Sequence, residues 1–184
     1  MVRKTAQRRG FVTEVTTKQL AEKTVELNAG DDILLSGTIY TARDAAHKRL
    51  AQLIDEKEPL PFDLKGAVIY YCGPTPAPNG MVIGSCGPTT SSRMDSYAPR
   101  LYGLGIAATI GKGRRNSGVV SAIEKNKAYY LCALGGCGAL IADCVRSSEV
   151  VAFEDLGCEA IRKLEVEKLP LIVGVDATGV SALK

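Results

Sequence analysis

The sequence predicts a single α/β domain, and three observations carry that expectation. Apolar runs rich in β-branched and aromatic residues alternate with stretches of helical period along the chain. Length and composition agree: 184 residues, 46% hydrophobic and 23% charged, suit one domain able to bury a core. No repeat, low-complexity tract or long linker divides the chain.

The first strand, DILLSG (32–37), leads into a helix over 41–55. Thr41 and, three residues on, Asp44 make a capping-box-like start with an acid in the place of Glu. Ala46, Leu50, Leu53 and Ile54 then form an apolar stripe at helical spacing. Arg43 and His47 lie one turn apart at the mouth of that side. Arg43 either points into the cleft at the strand end or pairs with Asp44 and covers the core with its stem.

A second strand, GAVIYYC (66–72), sits between two proline-punctuated loops, 56–65 and 73–80. MVIGSC (81–86) reads as a third strand running into Gly87-Pro88-Thr89-Thr90-Ser91-Ser92-Arg93 and a helical stretch over 90–105. Hydroxyl residues there cap the new helix, and its free N–H groups suit an anion. Capping alone accounts for the threonines, but not for Arg93 at the positive end of a helix dipole.

The strand IAATI (106–110) ends in Gly111-Lys112-Gly113, whose glycines let the backbone approach a ligand and leave Lys112 unshielded. A helix over 115–127, a strand over 128–134, a less regular helix over 136–148 and strands over 150–155 and 169–176 complete the chain. The Gly111 segment is not a Walker A loop, because Gly113 stands where Ser or Thr is required. Gly103-Leu104-Gly105-Ile106-Ala107-Ala108 follows a helix and leads into a strand, the reverse of a dinucleotide fingerprint.

Composition narrows the partners. The net charge of +3 comes from Arg3, Lys4, Arg8 and Arg9 in a basic tail over 1–10; without those four the chain has 19 bases against 20 acids. With no Trp and three Phe it lacks the stacking surface of a nucleic-acid binder, so the tail reads as solvated. No apolar run spans a bilayer and no signal peptide precedes the domain, which predicts a soluble cytoplasmic protein. The six cysteines (Cys72, Cys86, Cys132, Cys137, Cys144 and Cys158) contain no C-x-x-C pair, which disfavours a redox thiol protein. They read as small buried hydrophobes, with three convergent thiolates as the other reading.

Arg43, Arg93 and Lys112 thus fall at three strand-to-helix turns, where α/β sheets bind ligands. With the neighbouring hydroxyls they suit a small ligand carrying two carboxylates, and phosphate is the competing anion. A general base and a metal-ligand set are both missing, so the residues make half of an active site.

The segments AGDDILLSGTIYTARDAAHKRL, GPTTSSRMDSYAPRLYGLGIAATIGKG and ALGGCGALIA, with a closing VDATG, resemble the β subunit or C-terminal domain of the iron–sulfur class I fumarate hydratases and L-tartrate dehydratases. The resemblance runs from about residue 11 to about residue 179. It implies that 11–184 forms a swivelling β/β/α domain of a hydro-lyase that hydrates fumarate to L-malate or dehydrates L-tartrate. It implies also a hetero-oligomer with a larger α subunit, which ligates a [4Fe-4S] cluster, so that this chain holds no metal. On the same ground Arg43, Arg93 and Lys112 bind the substrate carboxylates and Thr89 abstracts the proton. Ser92 stands where many relatives have glycine, and Cys86 and Cys137 lie beside motif segments without being cluster ligands.

Overall fold

The computed structural model describes residues 12–183, so the basic tail lies outside the described residues. Seven strands form one mixed sheet: β1 (Thr13–Thr16), β2 (Asp32–Thr41), β3 (Val68–Tyr70), β4 (Ala108–Gly111), β5 (Tyr129–Cys132), β6 (Val145–Ala152) and β7 (Ile161–Val175). β2, β3, β4 and β5 run parallel, and β7 returns antiparallel to both β5 and β2. Those five strands therefore close on themselves, while β1 extends the edge of β2 and β6 that of β7.

Closure requires β2 and β7 to change neighbours partway along. β2 carries a bulge between Leu35 and Gly37, and Gly37 has φ +118°. Opposite it, Lys168 takes φ +52° and donates its N–H to the Ser36 hydroxyl at 3.0 Å. Beyond this double irregularity the first half of β7 pairs with β6 and the second half with β5.

Alternation along the strands divides the core in two. Val68, Tyr70, Ala108, Ile110, Tyr129 and Leu131 point inward to meet Leu35, Ile39, Leu164 and Val173. The intervening Ile69, Tyr71 and Tyr130 point outward, under α2 (Asp44–Glu56), α3 (Ala98–Gly103) and α4 (Ser117–Asn126). α2 buries Ala46, His47 and Leu50 on that face. The expected mixed α/β single domain is present, as a closed sheet with helices outside.

Some elements differ from expectation. Residues 81–86 form no strand. They face 73–80, where Pro74, Pro76 and Pro78 lack N–H groups; only Thr75 N–H to the Ser85 carbonyl and Met81 N–H to the Pro78 carbonyl, each at 3.0 Å, join the two segments among the described residues. The helical stretch over 90–105 is a 3-10 turn (Ser91–Met94) followed by the short α3. α5 (Gly138–Ala142) stops early, and Val145 opens β6 instead. β1 and α1 (Thr17–Glu22) were not anticipated, although Thr16 and Gln19 form a complete capping box.

Gly37→Ala tests the closure. A side chain there meets Thr17 in a backbone conformation that disfavours L residues. Unfolding in urea is expected to show a loss of about 2–4 kcal/mol, against less than about 1 kcal/mol for an ordinary exposed strand glycine.

Candidate functional site

Because β2 to β5 are parallel, the segments that follow them share one end of the barrel. Arg43 follows β2, the proline loop follows β3, Lys112 follows β4 and 133–138 follow β5. β7 starts at that end, which brings Glu159 there too.

Arg43 is the N-cap residue of α2, and Asp44 is its first helical residue. Thr41 is no cap. Its buried hydroxyl accepts from the Arg162 N–H at 3.0 Å and donates to the Ala160 carbonyl at 3.3 Å, tying β2 to β7. The two sequence-predicted arginines meet on one carboxylate. Arg93 grips Asp44 with both arms, Nε to Oδ1 at 2.8 Å and Nη2 to Oδ2 at 2.5 Å, while Arg43 Nε reaches Oδ2 at 3.3 Å. Arg43 Nη2 also lies 3.4 Å from Glu159. The Nη1 groups of both arginines hydrogen-bond to no described residue and remain as donors. Partial burial raises the Asp44 pKa, but backbone hydrogen bonding and the two arginines outweigh it and hold the carboxyl below its usual range.

Thr89 and Lys112 also come together, through the backbone. Thr89 N–H donates to the Tyr71 carbonyl at 2.7 Å, Lys112 N–H to the Thr89 carbonyl at 3.3 Å and Ser91 N–H to the Lys112 carbonyl at 2.9 Å. Residues 89–91 thus bridge the ends of β3 and β4. The expected capping role of this segment is absent: Thr90 is the N-cap of the 3-10 turn, and its side chain makes no cap bond. The helix whose free N–H groups were to hold an anion is a four-residue 3-10 turn, and the Thr89 and Ser91 amides are engaged with backbone carbonyls. The Thr89 hydroxyl hydrogen-bonds to no described residue. Lys112 is exposed, its stem passing over Gly135.

Beneath this rim lies a buried polar layer that the sequence does not reveal. Arg115, whose side chain is wholly buried, pairs with Asp95 at 2.7 Å and donates to the Tyr71 hydroxyl at 3.3 Å and to Thr109 Oγ1 at 3.2 Å. Asp95 also accepts the Asn116 N–H at 2.9 Å. Ser91 and Tyr130 bond through their hydroxyls at 2.9 Å, and Tyr130 donates to the Gly113 carbonyl at 2.8 Å. The 3-10 turn behind Thr89 is thereby fastened to the segment that follows Lys112. Arg115 resembles any loop arginine in sequence; only its packing between Tyr71 and Tyr130 sets it apart.

Of the six thiols, Cys72 and Cys86 are buried, Cys158 is exposed and the others are half-buried, so the expectation of small buried hydrophobes holds for two. Among the described residues no three of His, Cys, Asp and Glu converge on a point where a metal ion could sit. No described helix is long and apolar enough to cross a membrane.

The fold and this rim define an α/β module on a closed mixed sheet, with arginines, a lysine and a free hydroxyl gathered at one end. The chain belongs to the family described as Fumarase C-terminus, which it matches over residues 2–184. It is 41% identical over 152 residues to Fumarate hydratase 2 of Leishmania major, covering 82% of this chain and 27% of that protein. To the aerobic class I fumarate hydratase of Escherichia coli it is 42% identical over 147 residues, 79% of this chain and 27% of that protein. To the L(+)-tartrate dehydratase subunit beta of Escherichia coli it is 36% identical over 170 residues, 90% of this chain and 83% of that protein. The chain thus spans about a quarter of the fumarate hydratases and most of the tartrate dehydratase subunit.

His47 supports the rim from below. It is buried against Tyr71 and Tyr97, with Nδ1 3.0 Å from the Arg43 carbonyl and Nε2 without a hydrogen-bond partner among the described residues. Burial lowers its pKa from 6.5 to about 4; the bond to Arg43 opposes the shift and the Arg115 charge adds to it. Between those pH values the unfolded chain binds the proton and the folded chain does not, so stability falls as pH drops from 6.5 to about 4. Urea unfolding is expected to show wild type losing about 3 kcal/mol more than His47→Gln across that window.

Proposed function

We propose that this chain is the β subunit of a two-subunit iron–sulfur hydro-lyase and that the assembled enzyme interconverts fumarate and L-malate. The observation that carries this reading is the crossing of Arg43 and Arg93 on the Asp44 carboxylate, beside the bridge that joins Thr89 to Lys112. Asp44 displays the ligand type that the two guanidiniums accept, and their Nη1 groups offer the same chemistry to a dicarboxylate. Lys112 supplies a further cation for the second carboxylate.

Thr89 takes the proton from carbon. A threonine hydroxyl is a weak base in water, and on this reading the charges that Arg43, Arg93 and Lys112 bring to the same rim lower the cost of the developing alkoxide. The free Thr89 hydroxyl supports this role, because no structural hydrogen bond competes for its oxygen. L-tartrate dehydration is the second reading. Most of the tartrate dehydratase subunit beta is matched, and tartrate is also a hydroxy dicarboxylate.

The cysteines of this chain do not fit a [4Fe-4S] cluster: Cys72 and Cys86 face each other, and no third ligand converges on them among the described residues. The reading therefore assigns the cluster to the larger α subunit, where, when bound, it supplies Lewis acidity toward the substrate hydroxyl and carboxylate. The β subunit acts as a swivelling β/β/α domain that brings its rim to the partner within a cytoplasmic hetero-oligomer.

Anaerobic co-expression with the α subunit, followed by assays on fumarate, L-malate and L- and D-tartrate, tests the reading. Arg43→Lys and Arg93→Lys are each expected to lower kcat/KM about 10- to 100-fold, the scale of one or two charge-assisted hydrogen bonds. Unchanged kinetics in both would leave a non-catalytic dicarboxylate- or phosphate-binding module.

Thr89→Ala is expected to keep the wild-type melting temperature, since the hydroxyl holds nothing in place, and to lose on the order of 100-fold or more in kcat. Exchange of the C3 proton of malate with solvent reports abstraction directly. Exchange at the wild-type rate in Thr89→Ala would place the base on the α subunit.

A further inference from the structure

Cys72 and Cys86 stand 14 positions apart in sequence, yet their sulfurs lie 3.1 Å apart in the core. Cys72 follows the end of β3, and Cys86 comes just before Gly87-Pro88-Thr89. Hydrogen bonds on either side register the two segments. Tyr70 donates its hydroxyl to the Cys86 carbonyl at 2.5 Å, and Thr89 N–H donates to the Tyr71 carbonyl at 2.7 Å. Cys86 N–H is held in turn by the Gly138 carbonyl at 2.9 Å. Both thiols are free, and a bond of about 2.05 Å needs an approach of only about 1 Å.

We propose that Cys72 and Cys86 form an oxidisable dithiol whose disulfide staples the Thr89 segment to the end of β3. The absent C-x-x-C motif hides such a pair, because folding and not sequence spacing brings the sulfurs together. Hydrogen peroxide is a sufficient oxidant. One thiol attacks a peroxide oxygen, the O–O bond breaks, and a sulfenic acid and water result. The second sulfur then attacks the sulfenic sulfur, the S–O bond breaks, and a second water leaves as the disulfide forms. Two thiols lose two electrons and two protons in all, and peroxide is reduced to two waters. A small dithiol reverses the reaction by exchange.

The surroundings make this reaction slow. The hydrogen bond from Cys86, and then burial, push the Cys72 thiol up, and the Arg43 charge offsets only part of that, so thiolate is scarce. Access comes through the loop between the two cysteines, whose residues 75–82 are exposed. A neutral, small oxidant over minutes to hours suits such a site.

The sequence makes the test simple. Trypsin cuts after Lys65 and Arg93, so both cysteines fall in one peptide, 66–93, while the other four fall in 128–146 and 147–162. The folded full-length chain is treated with hydrogen peroxide, alkylated in denaturant and digested. Peptide 66–93 is expected to be two hydrogens lighter and free of alkyl groups, and to gain two alkyl groups after dithiothreitol. Cys72→Ala and Cys86→Ala should each abolish the mass loss. Uptake of two alkyl groups by oxidised, folded protein would overturn the dithiol, as would a link between peptides 66–93 and 147–162 through the exposed Cys158.

The staple has its own readout, hydrogen exchange at the Thr89 amide. Cross-linking a loop of this length restricts its opening, so exchange is expected to slow at least about 10-fold in the oxidised chain. Equal exchange in both states would overturn the staple. Both measurements concern this chain's own atoms, so they stand or fall separately from the hydro-lyase reading.

Discussion

The antiparallel pairing of β2 with β7 is the constraint on which the rest of the structure depends. Without it the parallel strands β2 to β5 would form an open sheet with two exposed edges. β7 covers both edges at once, because its 15 residues are long enough to serve β6, β2 and β5 in succession. Closure fixes which strand ends share a side and therefore which loops meet. Glu159 reaches Arg43 because β7 begins where the parallel strands finish.

Two ion pairs near the rim carry different physical weight. Arg93 and Asp44 are half-exposed and one-third exposed in their side chains, so their pairing adds about 0–1 kcal/mol to stability. Its effect is to hold two guanidiniums in one place, and a ligand carboxylate can compete for them at little cost to the fold. Arg115 with Asp95 is buried, and removing one partner from such a pair costs about 3–5 kcal/mol. That pair fixes the turn behind Thr89 to the start of α4. A rigid lower layer thus supports an exchangeable upper one, the arrangement that a site for a small charged ligand requires.

Much of this was legible locally. DILLSG, IAATI and AYYLCAL mark real strands because each is a short apolar run closed by glycine or a charged turn, and the periods of α2 and α4 follow from their buried stripes. MVIGSC misled because an apolar run shows only that a segment is buried. A strand also needs a neighbour with free donors, and the prolines opposite remove them. The start of β7 could have been read from its alternation, with Leu164 and Val166 inward and charged residues between and beside them, and the Thr16 capping box was equally visible. At the rim, Arg43, Arg93, Lys112 and Thr89 were marked by their turns. Asp44 was mistaken for half of a capping box, while Glu159, Asp95 and Arg115 carried no local signal.

By itself the sequence determined the class of fold, the positions of the main parallel strands and the residue types at each turn, because hydrophobic period and turn chemistry act over a few residues. It determined also, through its motifs, the family to which the chain belongs. Only the tertiary structure decided that the sheet closes, that two arginines share Asp44, that the Thr89 hydroxyl is free and that Cys72 meets Cys86. Each of those facts depends on contacts between segments far apart in the chain. Packing and backbone hydrogen-bond satisfaction select such contacts among the whole set of strand ends, and no local pattern encodes them.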